Sequence, residues 1–188
     1  MICLANPFEA VLNTLKLSID STDESGNLLH VIEVGDCWKY LTIVEEFIRY
    51  EEIGLNTTSD DEVREMLVDL VSICEKQVKQ LSNFMKKEGI PLPEVTSAKP
   101  ESNPTEVPLG VKLTDDEIVN GASFKLVICM QTAGTGIANS VRADVGAMWL
   151  RFFLDWTIFG TTLKTLSRKR GWIKVPPYYY APGSPKHS

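Results

Sequence analysis

The stretch VGAMWLRFFLDWTIF, residues 145–159, decides the fold of this chain. It lies inside the region 114–170, which carries most of the large apolar side chains of the protein. Apolar residues recur there at helical spacing, and others lie on the remaining faces of the same predicted helix. A helix that is apolar on most sides must be buried on most sides. We therefore expect other helices to cover it, which predicts an all-α fold.

Two long amphipathic helices are predicted upstream of this stretch. The first runs over about residues 29–52 and is expected to end at Gly54. The second starts from the capping box 59–62 and continues to Glu88, with Gly89 as its C-cap. Both have apolar positions three and four residues apart. The seams are Val34, Cys37, Leu41, Val44 and Ile48 in the first helix, and Val63, Leu67, Leu70, Cys74, Gln77, Leu81 and Phe84 in the second.

A proline-rich connector, residues 89–113, separates these helices from the last two. It is too long for a tight hairpin and long enough to run the length of a bundle. The capping box 114–117 starts the third helix, Ser140 is expected to cap the fourth, and the fourth ends at Arg170. Four long helices with one long crossover between the second and third are typical of a ferritin-like four-helix bundle.

The two ends of the chain have a different character. Residues 1–27 are predicted to hold a short amphipathic helix, from Pro7 to about Ser18, and a loop. The bundle is assigned to residues 28–175, and residues 176–188 form a tail rich in proline and tyrosine. The chain after the fourth helix is expected to pack on the bundle through Trp172, Ile173 and Tyr178 to Tyr180.

Composition excludes several classes of protein. The net charge of −6 argues against nonspecific binding to nucleic acid, which needs a basic surface. We find neither a signal peptide nor an uncharged apolar run long enough to span a membrane. The four cysteines include no C-x-x-C pair, and Cys37, Cys74 and Cys129 fall on apolar seams, which predicts buried free thiols in a reducing compartment.

Several motifs resemble those of a family of uncharacterised proteins from spore-forming bacilli, some of which carry the label of spore coat protein. The similar segments are residues 29–34 with Trp38, residues 88–93, residues 113–118, residues 140–146 and residues 171–177. The resemblance covers about residues 28–178 and implies a ferritin-like bundle. The family has no established catalytic residues, so the resemblance implies none here.

The standard di-metal centre of a ferritin-like bundle requires inward glutamates and a Glu-x-x-His pair from each of two helices. This chain has two histidines, His30 and His187, and no Glu-x-x-His. The pair His30 and Glu33 has the spacing in reverse order, although a helix start explains it better. Asp155 lies in the apolar stripe of the last helix, where a structural hydrogen bond or ion pair is expected rather than a ligand role. No metal site, cofactor or catalytic group is predicted, and His30, Glu33 and Asp155 remain minor candidates for metal ligands.

Three functions compete on this basis. The sequence favours a non-catalytic structural or interaction protein, cytoplasmic or associated with the spore coat, that forms a homodimer and contacts other coat proteins. The first alternative is a metal-binding bundle with a degenerate site, which rests on fold analogy. The second is a small-ligand binding bundle with a cavity lined by Trp149, Phe153 and Trp156.

Overall fold

The computed structural model describes residues 26–182 and contains four long helices over that range. They are α1 (Val31–Thr57), α2 (Asp61–Lys87), α3 (Asp115–Asn139) and α4 (Ala143–Arg170). The helices pack as a bundle around one core, and the described residues form no β-strand. The predicted all-α bundle with a long crossover is therefore confirmed. The short helix predicted for residues 7–18 lies outside the described residues.

The first three helices begin at the capping motifs in the sequence, but the cap of α2 lies one residue later than predicted. Thr114 caps α3 in a capping box with Glu117, as predicted, and His30 caps α1 in the same way with Glu33. The cap of α2 is Asp60 and not Ser59, because the Asp60 carboxylate accepts hydrogen bonds from the Glu62 and Val63 amides. A carboxylate at this position also interacts favourably with the helix dipole.

Two of the predicted helix boundaries were wrong. Gly54 does not end α1, which continues to Thr57. Its missing side chain instead allows close packing, since a Cβ there would lie 3.0 Å from the Leu67 side chain. Ser140 does not cap α4 but closes α3, where its hydroxyl donates to the Gly136 carbonyl oxygen. The N-cap of α4 is Arg142.

Because of the long crossover between them, α2 and α3 run in the same direction. The crossover runs beside the C-terminal half of α1, where Glu46 accepts a hydrogen bond from the Thr96 hydroxyl and Glu52 accepts one from the Lys99 amide. It then delivers the chain to the start of α3, so that α2 and α3 run parallel. The start of α1, the ends of α2 and α3 and the start of α4 share one pole of the bundle, which we call the Arg142 pole. The opposite pole, where α4 ends, is the Trp172 pole.

Aromatic rings fill the centre of the core. Trp149 and Trp156 are fully buried, and Tyr40 meets Trp149 edge-on at a centroid distance of 5.1 Å and stacks on Phe152 at 5.5 Å. These two tryptophans, which the sequence placed in a possible ligand cavity with Phe153, are thus packed against other side chains. The thiols of Cys37, Cys74 and Cys129 are free and buried, as predicted.

The chain after α4 packs only in part. Gly171 ends the helix in the left-handed conformation, and Trp172 packs against the core. The tyrosines do not, since Tyr178, Tyr179 and Tyr180 are 78%, 85% and 55% exposed. The expectation that they hold the tail on the bundle was wrong. Within residues 26–182, no helix combines the length and apolarity needed to cross a membrane.

The contact between α3 and α4 depends on one glycine, which gives a direct test of the packing. A Cβ at Gly136 would lie 2.5 Å from the Trp149 ring, whereas one at Gly134 would meet only Phe153, at 4.0 Å. We expect Gly136→Ala to lower the free energy of unfolding by about 1–3 kcal/mol. The control Gly134→Ala should raise it by about 0.5–1 kcal/mol, because alanine favours a helix. Urea unfolding measures both, and equal effects would contradict the assignment of this close approach.

Candidate functional site

The most unusual feature of the interior is a buried ion pair between α1 and α3. The Lys125 Nζ lies 2.5 Å from Glu51 Oε1, and neither side chain is more than a tenth exposed. The same ammonium lies over the Tyr50 ring, 3.9 Å from its centroid, and 5.3 Å from that of Phe47. The cation is therefore held by a carboxylate and two aromatic faces.

Burial and pairing act in opposite directions on these two groups. Burial raises the pKa of Glu51 and lowers the pKa of Lys125, whereas the attraction between them opposes both shifts. The second carboxylate oxygen of Glu51 is buried and has no hydrogen-bond partner among the described residues. Removing one member of such a pair leaves a buried charge without compensation, which is far more costly than removing both.

Two thiols belong to the same part of the core. Burial, with the Glu51 carboxylate as a smaller contribution, raises the pKa of Cys129 to about 12 and raises the pKa of Cys74. Both cysteines are therefore protonated near neutral pH. Because the thiolate is the nucleophile and the metal ligand, these thiols are chemically inert in this environment.

A second polar group joins α1, α2 and α4 through the aromatic centre. The Tyr40 hydroxyl donates to Gln77 Oε1 at 2.6 Å and accepts from the Trp156 indole N–H at 2.7 Å. The Gln77 amide nitrogen lies 3.4 Å from Asp155 Oδ2, and Lys76 forms an ion pair with the same carboxylate at 3.1 Å. Asp155 thus lies at the edge of the core, about a quarter exposed, with both partners on α2.

The Arg142 pole holds the third polar group. One Glu33 oxygen accepts from the amides of Val141 and Arg142, and the other accepts from the His30 amide. The Arg142 guanidinium is 3% exposed and binds Glu88 through both terminal nitrogens and Asp144 through Nε and Nη2. This charge network ties the start of α1, the end of α2 and the start of α4 together.

Comparison with known proteins places the chain in a family. Residues 18–184 match the family model described as "Protein of unknown function (DUF3231)". The chain belongs to the DUF3231 family. It is similar to the uncharacterized protein YvdQ of Bacillus subtilis (strain 168), at 23% identity over 151 residues that cover 80% of this chain and 89% of that protein.

A crystal structure with the same fold is that of a "putative spore coat protein" from Bacillus halodurans C-125. It superposes with a TM-score of 0.80 at 24% identity, over 83% of this chain and 98% of that chain. At this identity the likeness shows the fold.

The structure brings two of the three minor metal-ligand candidates together. His30 and Glu33 lie at the Arg142 pole, where His30 Nδ1 accepts from the Ile32 amide and Nε2 lies 3.1 Å from the Asn139 carbonyl oxygen. Asp155 lies thirteen residues after Arg142 on α4, about 20 Å along the helix at the standard rise. Within residues 26–182, no group of three or more His, Cys, Asp or Glu side chains is placed to hold a metal ion.

Sequence reasoning missed Glu51 and Lys125, although the pattern that reveals both is present. The apolar seam of the first helix, extended three residues beyond Ile48, reaches Glu51. Position 125 follows Ala122 by three residues and precedes Cys129 by four, so a lysine there also lies on the buried face of its helix. A charged residue of opposite sign on the seam of each of two helices is the signal for a buried ion pair.

The ion pair can be tested by a double-mutant cycle. Lys125→Met should lower the free energy of unfolding by about 3–5 kcal/mol, because it leaves Glu51 buried and uncompensated. Adding Glu51→Leu should recover most of that loss, since apolar side chains of similar size then replace the whole pair. Urea unfolding of the wild type, both single variants and the double variant measures the coupling. Additive single effects would refute the pairing.

The Glu33 carboxylate predicts a pH dependence of stability. Burial alone would raise its pKa, but hydrogen bonds from the Arg142, His30 and Val141 amides outweigh burial and lower the pKa below its usual 4.5. The folded protein therefore holds this proton less tightly than the unfolded chain does. The stabilisation is complete above the unfolded pKa and is lost as the pH falls through the folded pKa.

We expect the stability gap between the wild type and Glu33→Gln to narrow as the pH is lowered from about 7 to about 3. Urea unfolding at a series of pH values measures the gap. Asp69→Asn, an exposed carboxylate variant on α2, serves as the control and should show no such trend. A gap for Glu33→Gln that stays constant over this range would contradict the role of the carboxylate.

Proposed function

We propose that this protein is a non-catalytic structural or interaction protein that forms a homodimer. The buried polar groups support this role, since Glu51, Lys125 and Arg142 are engaged in contacts that fix one helix against another. Interior ion pairs of this kind are best attested as devices that set helix register. The surface, and not the interior, then carries the interactions.

The observation that carries the proposal is an apolar ridge along the outer side of α3. We call Phe124, Val127 and Ile128 the α3 crest; their side chains are 73%, 51% and 40% exposed. Contiguous exposed apolar side chains are uncommon on monomers and mark interaction sites. A rigid helix holds these three side chains in a fixed arrangement.

A second copy of the chain is the proposed partner at the crest. Most soluble oligomers are homodimers with twofold symmetry, in which the same patch of both subunits meets itself. Two α3 crests placed across a twofold axis would bury these apolar side chains against each other. The name of the Bacillus halodurans protein supports a further proposal, that the dimer is cytoplasmic or associated with the spore coat and contacts other coat proteins there.

The molecular mass of the protein in solution tests whether it forms a dimer. We expect the full chain to sediment as a dimer and Ile128→Lys to raise the dimer Kd at least about tenfold, because a buried unpaired ammonium opposes association. The matched control is Val68→Lys, at an apolar position on α2 that is also exposed, which should leave the Kd unchanged. A monomeric wild type, or equal effects of the two variants, would overturn the proposal.

A metal-binding role is the second candidate, and the buried Glu51 oxygen without a partner is the observation that favours it. A carboxylate oxygen is a suitable ligand for iron or manganese. Elemental analysis of the purified full chain separates the two functions. Less than one metal ion in ten chains is expected, and stoichiometric iron or manganese lost in Glu51→Gln would replace the structural role with metal binding.

A further inference from the structure

A patch of exposed apolar side chains lies at the Arg142 pole. We call Leu28, Val31, Ile32 and Val141 the pole patch; each of these side chains is more than half exposed. The Val141 amide donates to Glu33 Oε1, which places the turn between α3 and α4 against the first turn of α1. The four side chains therefore share one end of the bundle. Contiguous exposed apolar side chains of this kind mark an interaction site.

A second uncovered apolar segment leaves the bundle at the opposite pole. We call residues 175–180, which include the three exposed tyrosines, the tyrosine segment. Just before it, the Trp172 carbonyl oxygen accepts a hydrogen bond from Asn120 at 3.2 Å, and Lys174 pairs with Asp116 at 3.0 Å. Asp116 lies about one turn nearer to the start of α3 than Asn120 does. The chain therefore runs past the start of α3 and away from its own bundle.

We propose that the two copies of the homodimer are antiparallel and that the tyrosine segment of each copy covers the pole patch of the other. This inference rests on the proposed dimer, because the α3 crests have to meet before the tail of one copy can reach the other. It adds a second contact to that interface and fixes the orientation of the copies.

Charge at the start of α3 favours the antiparallel orientation. The first turn of α3 carries Asp115, Asp116 and Glu117. In a parallel pair the acidic turns of both copies would lie together at one end of the interface, where like charges repel each other. In an antiparallel pair they lie at opposite ends. The dipoles of the two α3 helices then also point in opposite directions, which is the favourable arrangement.

The antiparallel orientation brings the tyrosine segment to the pole patch. With the twofold axis at Val127, in the α3 crest, Asp116 of one copy faces Ala138 of the other, because each is eleven residues from Val127. Ala138 lies one residue before the end of α3, beside the turn that carries Val141. The tyrosine segment spans about 19 Å in the extended conformation that its two prolines favour. It is therefore long enough to cross the pole patch.

The area that a stable dimer buries also requires a contact beyond the α3 crest. The three crest side chains expose on the order of 300 Å² per copy, whereas a standard interface buries about 800 Å² per partner. The three tyrosines of the tail expose on the order of 400 Å², since an aromatic side chain has about 150–250 Å². The pole patch adds a similar area. The three surfaces together reach the size of a standard interface.

Cross-linking between copies tests the inference. The full chain carries Cys3→Ser, which leaves three native cysteines, all of them buried. Ala181→Cys, next to the tyrosines, is combined with Val141→Cys, and a short bismaleimide joins the new thiols. Within one chain these positions lie at opposite poles, about 40 Å apart, so only a contact between copies brings them together. We expect covalent dimers as the main product.

The matched control pair is Ala181→Cys with Asn83→Cys. Asn83 is exposed near the end of α2, at the same pole as Val141 but on a different helix. We expect the yield of covalent dimers to be at least several-fold higher for Val141→Cys than for Asn83→Cys. Equal yields for the two pairs would overturn the inference.

The size of the cross-linked products separates the possible arrangements. Two reciprocal links close a twofold dimer, so the reaction stops at two chains, whereas a head-to-tail contact gives a ladder of longer species. Such a ladder would overturn the inference. A protein that is dimeric by mass but lacks this cross-link would overturn the inference and leave the proposed function intact. A monomeric protein would overturn both.

The contribution of the tyrosines to association is measured separately. Tyr178→Ser, Tyr179→Ser and Tyr180→Ser together should raise the dimer Kd at least about tenfold in sedimentation, because the apolar area that covers the pole patch is lost. These side chains are exposed in the single chain, so the helix content by circular dichroism should not change. The control Val68→Ser, at an exposed position on α2, should leave the Kd as it is. An unchanged Kd in the tyrosine variant would contradict the proposed contact.

Discussion

Lys125 and Glu51 remain inside the bundle because each compensates the charge of the other. The pair joins α1 to α3, and the ammonium lies over the rings of Tyr50 and Phe47 on α1. A shift of either helix by one turn, about 5.4 Å, would separate the charges and leave both buried. The apolar seams alone tolerate such a shift, because leucine and valine pack with many neighbours. The ion pair therefore selects one register for helices that apolar contacts hold together.

The other polar groups act in the same way at different levels of the bundle. Tyr40, Gln77 and Trp156 set α1, α2 and α4 at the aromatic centre, and Glu33 and Arg142 set them at one pole. Each group links helices that are far apart in the sequence. The bundle thus has directional contacts at three heights, while glycines such as Gly136 determine how closely α3 and α4 approach.

The sequence predicted the fold well because helical periodicity and capping residues are local signals. Thr114 with Glu117 needs only four residues to be recognised, and the prolines of the crossover mark its limits. Gly54 and Ser140 were misassigned because their roles depend on neighbours, a Leu67 side chain in one case and the Gly136 carbonyl in the other. The pairing of Glu51 with Lys125 could be suspected from their seam positions. It could not be established, since the sequence does not reveal which helices are adjacent.

The crossover has a consequence for how copies of this fold can be joined. When three short turns join the four helices of a bundle, each helix runs antiparallel to the one before it. The chain then ends at the pole where it began. Here the crossover also runs the length of the bundle. The chain therefore enters the bundle beside Arg142 and leaves it beside Trp172, about 40 Å away at the length of α1. If the bundle were duplicated in tandem, a short linker would suffice for a second unit placed beyond the Trp172 pole of the first.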